Sequence, residues 1–199
     1  MSRGDIDRRD YFRISDSVYI EYKVVPKERV FTASRQPPYE VSARFTLLRD
    51  MYVLELESSQ LLRSLIDSDR KLGDFLSTVN RRIEMMACIL SADELTPGQR
   101  PAGYVTISEG GISFQVDELL PAGTYLGLKL LFHPSLLGLT LYGEVKYCRL
   151  TDEGAHYVAG VQFLELDAFG EQLLSRHIIR LQAEDRRKRL IEDTYGDYH

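Results

Sequence analysis

Tryptophan is absent from the 199 residues and cysteine occurs only twice. Cys88 and Cys148 form no CxxC pair and have no histidine beside them. Their expected state is a pair of reduced, buried thiols in a cytosolic chain. His133, His156, His177 and His199 are dispersed, so no metal site is indicated. A basic excess is also lacking: 25 Lys and Arg face 30 Asp and Glu, a net charge of −5. General nucleic-acid binding is therefore disfavoured, because neutralising phosphates needs a basic surface. No apolar run approaches the roughly 18–20 residues of a membrane span. Met1 to Arg13 is charged and carries no hydrophobic signal segment, so a soluble, cytoplasmic chain is expected. No GxSxG elbow, Walker loop, HExxH or paired-carboxylate motif occurs, and Ser108 has no base evident in the sequence. These absences point away from an enzyme.

What is present suits a globular protein. Hydrophobic residues make up 44% and charged residues 28%, enough apolar surface for a core. The length fits one domain, or a small domain carrying a large insertion. Along the chain the apolar period changes twice. Val18–Val25 reads as a strand, ended by Pro26 and followed by a turn-rich connector closed by Pro37-Pro38. From about Tyr39 to Leu95 the spacing becomes helical. Leu47, Met51, Leu54, Ser58, Leu61 and Leu65 form one heptad seam; Leu72, Leu76, Val79, Ile83, Met86 and Leu90 form a second. Asp67-Ser68-Asp69 between them offers N-cap chemistry. Leu65 to Leu72 nevertheless keeps the seven-residue phase, so a helical hairpin and one locally disturbed helix both fit. After Pro97-Gly98 the period returns to two. Tyr104–Ile107, Ile112–Val116, Tyr125–Phe132, Leu139–Leu150 and Tyr157–Leu166 alternate with Gly, Pro and Asp turns, as in an antiparallel sheet or barrel. A helix begins near Ala168, with Phe169, Leu173, Leu174, Ile178 and Leu181 on its apolar side. Arg186-Arg187-Lys188-Arg189 near its end suits the helix dipole.

Three short patterns carry a resemblance. Arg9-Asp10-Tyr11-Phe12-Arg13, preceded by Arg8, is an RxxxR sequence before the first strand. Thr106-Ile107-Ser108-Glu109-Gly110-Gly111 follows (D/N)xSxxG except at its first position, and Val158-Ala159-Gly160-Val161-Gln162-Phe163 looks like a closing strand. In this order and strand context the chain resembles the PilZ family over roughly residues 5–33 and 100–185. The resemblance implies a mostly β fold with an α insertion: a six-stranded antiparallel PilZ-like barrel, long heptad helices and a C-terminal helix. The expected division is an arginine arm and first strand over 1–37, a helical oligomerisation insertion over 38–97, the rest of the barrel over 98–166, and a helix and tail over 167–199.

The resemblance also implies a ligand, cyclic di-GMP, with no cofactor. Arg8, Arg9, Arg13, Thr106, Ser108, Gly110 and Gly111 are the implied ligand residues. Arginine suits both halves of such a ligand, as a fork toward phosphate oxygens and as a bidentate donor to guanine O6 and N7. It also stacks on bases. Ser108 supplies a hydroxyl, while Gly110 and Gly111 permit positive φ and close backbone approach. Thr106 departs from the pattern, since a hydroxyl accepts more poorly than the family's Asp or Asn. Losing a charge-assisted hydrogen bond costs about 1.5–3 kcal/mol, or roughly ten- to a hundredfold in affinity.

The insertion resembles that of atypical tetrameric PilZ proteins and implies a homo-oligomer, a tetramer, joined through Leu47, Met51, Leu54, Leu61, Leu65, Leu72, Leu76, Val79, Ile83, Met86 and Leu90. Two seams on adjacent helices are buried more readily by a bundle than by one hairpin. A downstream partner protein, unidentified, is also implied. Plainer readings stand beside these. Arginines alternating with Asp5, Asp7 and Asp10 fit a solvated arm, and Ser108–Gly111 fits an ordinary hairpin turn. The second functional reading is an oligomeric PilZ-like scaffold that binds no cyclic di-GMP and acts through protein contacts alone.

Overall fold

Alternating apolar residues drive six strands that the rest of the molecule is built around. The structure, a computed structural model, describes residues 14–32, 36–92, 104–133, 135–151, 156–164 and 166–196; the side chains at 88, 90–92, 104 and 188–196 lie outside that description. The strands are β1 (Ile14–Val24), β2 (Tyr104–Ser108), β3 (Gly111–Val116), β4 (Tyr125–His133), β5 (Gly138–Leu150) and β6 (Tyr157–Leu164). They close an antiparallel barrel in the order β1-β2-β3-β6-β5-β4, with β4 returning to β1. On β4, Leu126, Leu128, Leu130 and Phe132 all point inward and are fully buried beside Val18, Ile107, Val145 and Ala159. Each such aliphatic side chain contributes about 1.5–3 kcal/mol relative to exposure. Most of the barrel's filling thus comes from its own strands.

β1 begins four residues before the strand expected from hydrophobicity. Its first turn of pleat, Ser15-Asp16-Ser17, reads as polar. Asp16 is nonetheless buried, its Oδ2 2.8 Å from His177 Nε2 and its Oδ1 accepting from the Ser17 amide at 2.8 Å. A buried acid tolerates this position only because it is paired.

The helical segment is a hairpin. Ser42 caps α2 (Ala43–Ser68), its hydroxyl accepting from the Phe45 amide at 3.0 Å. Asp69 is extended, ends α2, and caps α3 (Arg70–Ala92) by accepting from the Leu72 amide at 3.1 Å. A Cβ at Gly73 would lie 2.7 Å from Ile66 Cα, so the close crossing of the two helices requires glycine there. Leu48, early in α2, and Ala87, late in α3, both pack with Leu131 and Leu136. The helices are thus antiparallel and lie on the outer face of β4. The connector and the first turn of α2 dock on the sheet: Pro38 sits on Gly127 and the Phe45 ring on Gly138, positions where a Cβ would approach to 2.7 Å. A one-turn helix, α1 (Lys27–Val30), occupies the stretch read as turns, and Val30 is buried against Tyr142 and Val25.

Most of the heptad positions face away from this packing, Met51 being packed against it. Leu47, Leu54, Leu61, Leu65, Leu72, Ile83 and Met86 are exposed; Met51, Leu76 and Val79 are half-buried, and the Leu90 side chain lies outside the described residues. The stripe that faces the barrel is Phe45, Leu48, Tyr52 and Leu56. α2 is apolar on two sides, and a single periodicity reading selects one of them. Ser58 within the seam donates to the Leu54 carbonyl at 2.8 Å inside its own helix.

The last helix (Ala168–Gly196, α4) starts at Asp167, whose Oδ1 accepts from the Gly170 amide at 2.7 Å. Leu173, Leu174 and Ile178 join the barrel core together with Tyr52 of α2. Arg180 Nη1 meets Glu55 Oε1 at 3.2 Å, tying α4 to α2. Among the described residues no helix is long and apolar enough to cross a membrane.

Candidate ligand site

The Ser108–Gly111 turn joins β2 to β3, with Ser108 directly opposite Gly111. Ser108 is buried, and its hydroxyl donates to the Gly111 carbonyl at 3.3 Å. Gly111 is required by space: a Cβ there would lie 2.5 Å from the Val161 carbonyl oxygen. Gly110 and Gly111 permit positive φ. Among the described residues it falls instead at Gly123 (86°) and Leu136 (59°), so close approach between β3 and β6 is the constraint in this turn. Gly110 contributes its carbonyl, which accepts from the Phe163 amide at 2.9 Å. Thr106 is half-exposed; Val105 and Ile107 on either side are buried, so its hydroxyl belongs to the outer face.

Arg8, Arg9 and Arg13 lie outside the described residues. The register does define where that segment joins the barrel. Ile14, the next residue after Arg13, pairs with Ile107, which adjoins Ser108.

Two features of the surroundings were not singled out by sequence reasoning. The first is a row across the outer face, Thr106, Ser113, Gly160 and Tyr147, aligned by cross-strand pairing. The Tyr147 ring lies flat on Gly160, where a Cβ would be 2.1 Å from a ring carbon, and its hydroxyl donates to Ser113 Oγ at 3.3 Å. The Arg149 guanidinium is 5.6 Å from the same ring's centroid. A glycine inside a strand was the available signal, since it marks close approach by another group.

The second feature is a cavity of about 590 Å³ between the β2–β3 turn and α4, lined among others by Glu109, Gln162, Phe163, Glu171, Gln172 and Ser175. Ser175 Oγ donates to Glu109 Oε1 at 2.6 Å across its mouth. Behind it, the Asp16–His177 pair joins α4 to β1. Burial pushes the neighbouring Tyr52 phenol up to about 12, against the opposing pull of Arg180. Burial also raises Glu55, whose contact with Arg180 opposes the shift while Glu84 adds to it. A further cavity of about 390 Å³ lies between Pro38, Phe45, Arg49 and Phe169, away from the turn. Among the described residues no group of His, Cys, Asp and Glu is arranged to hold a metal ion.

Residues 80–180 match the family described as PilZ domain, just over half of the chain. No curated protein matches. A tetrameric PilZ protein from Xanthomonas campestris, self-assembled through a helical bundle, is 17% identical with a TM-score of 0.51, the match covering 89% of this chain and 91% of that one. Its likeness extends to the barrel together with the helices. The PilZ domain of YcgR from Escherichia coli, solved with c-di-GMP, is 15% identical with a TM-score of 0.34, over 43% of this chain and 74% of that one. An inhibitor of motility from Bacillus subtilis is 18% identical with a TM-score of 0.37; the match covers 42% of this chain and 42% of that protein's length.

Proposed function

The chain belongs to the PilZ domain family, and from that membership we propose that it is a cyclic di-GMP receptor acting as a homo-oligomeric adaptor, without catalysis of its own. The observation that carries this reading is the pairing of Ile14 with Ile107. Consecutive Cα atoms are about 3.8 Å apart, so an arm ending in Arg13 starts beside the Ser108 turn despite the long helical excursion between them in sequence. Arg9 and Arg13 then meet phosphate and guanine from one side, and the barrel face carrying Thr106 and Ser108 meets the ligand from the other. Calorimetric titration with cyclic di-GMP tests the reading. Binding by the wild-type chain and its loss in Arg9→Ala are expected; absence of heat at high micromolar ligand, with folded protein, overturns it.

The adaptor half rests on the exposed apolar stripe of the hairpin, for which a tetramer of this chain in the cytoplasm is the proposed cover. A second reading, a scaffold that no longer binds nucleotide, draws on Thr106 in place of an acid or amide. The titration separates the two, because the scaffold requires assembly without ligand heat.

A further inference from the structure

We propose that the cavity between the β2–β3 turn and α4 reads one guanine of the dinucleotide, with Glu109 and Glu171 accepting from the base's N1–H and N2–H edge. The inference rests on the cyclic di-GMP reading above. It starts from a gap in that reading: Thr106 presents a hydroxyl where a carboxylate or amide acceptor is expected, so the donor edge of guanine is left without a strong partner on the barrel face.

The cavity holds the acceptors that position lacks. Glu109 and Gly110 of the motif turn form part of its wall, and Glu171, Gln172 and Ser175 of α4 form the other. Glu171 and Ser175 are four residues apart and share one face of the helix. The Ser175 hydroxyl, 2.6 Å from Glu109 Oε1, holds that carboxylate toward α4. Phe163 and Leu174 close the floor of the cavity from the barrel core, and the Gln162 and Gln172 amides can donate to O6. α4 is kept in place by the buried Asp16–His177 contact on β1, two residues from Ile14.

Charge divides the ligand between the two sides. Carboxylates repel phosphate oxygens, so the phosphates stay outside and only a base enters between Glu109 and Glu171. The same chemistry sets selectivity. Guanine presents donors at N1 and N2; adenine presents a lone pair at N1, which faces a carboxylate with repulsion and leaves it unpaired. The cavity therefore favours cyclic di-GMP over cyclic di-AMP.

The test is calorimetric titration of the wild type, Arg9→Ala, and the double variant Glu109→Ala, Glu171→Ala with cyclic di-GMP and cyclic di-AMP. Both glutamates are exposed, so the double variant should keep its melting curve. Its affinity for cyclic di-GMP should fall roughly ten- to a hundredfold, with preference over cyclic di-AMP lost. Unchanged cyclic di-GMP affinity, or preference retained at wild-type level, overturns the cavity assignment. If in that case the wild type still binds and Arg9→Ala does not, the receptor reading survives alone. Folded wild-type protein that binds neither dinucleotide sinks both.

Discussion

Leu126, Leu128 and Leu130 in the barrel are wholly excluded from water, whereas Leu54, Leu61 and Met86 in the hairpin keep 62%, 69% and 65% of their surface exposed. Both regions carry regularly spaced apolar residues. They differ in whether the backbone can bring those residues together within one chain. A sheet that closes on itself converts every inward position into core and leaves no edge. A two-helix hairpin laid on that sheet buries one stripe of each helix, and a helix apolar on two sides has a second stripe left over. The barrel buries its inward positions within one chain; the hairpin leaves an apolar outer face exposed.

The contrast can be broken most forcefully in the barrel. Leu128→Ala should destabilise the chain by about 2–5 kcal/mol in denaturant unfolding, with barrel and helix signals lost together. A loss confined to the helices would show that the two regions do not share a core. Tyr52, which belongs to the hairpin yet packs in the barrel cluster, sharpens the same point through pH. Its phenol is raised from the usual 10.0 to about 12, so the fold disfavours phenolate. Stability is therefore lost as pH rises from 10 toward 12, by about 2–3 kcal/mol across that window. Tyr52→Phe removes this loss. Its hydroxyl is buried without a hydrogen-bond partner, so the variant should be no less stable at pH 7. Alkaline melts of the two proteins, compared pairwise, check the sign.

A smaller effect is expected at the seam between α4 and β1. Asp16→Ala leaves His177 buried without its partner and should cost about 1–3 kcal/mol, with amide exchange accelerated in α4 before the barrel strands. Uniform acceleration would mean the pair does not anchor the helix locally. The smallest change in single-chain stability, within about 0.5 kcal/mol, belongs to Leu61→Glu and Met86→Glu on the outer stripe. Their expected consequence lies in assembly: light scattering should find monomers, and the concentration dependence of melting should disappear. A wild type that is already monomeric at high concentration would show that no second copy covers this face.

Much of the fold was legible because burial repeats with the period of the element. The strands around Ile107, Phe114, Leu128 and Val161 alternate in sequence as they do in the barrel, and Asp67-Ser68-Asp69 offers cap chemistry where α2 gives way to α3, though both a hairpin and one long helix fit that signal. β1 was shortened because Ser15-Asp16-Ser17 looks polar, and only a partner 161 residues away makes Asp16 a core residue. For the same reason the site was legible in part. Ser108, Gly110 and Gly111 are adjacent in sequence and can be read as one turn. The Glu109–Ser175 contact spans 66 residues and the Tyr147–Ser113 contact 34, and no local spacing signals either.

By itself the sequence determined where the apolar period is two and where it is helical, and which short motifs flank the strands, because these depend on neighbours a few residues apart. Tertiary structure alone decided that the helices fold back as a hairpin, which stripe of α2 meets the barrel, and that α4 closes a polar cavity against the Ser108 turn. Those outcomes depend on strand register and on the closing of the sheet, which bring distant segments into contact and have no periodic trace in the chain.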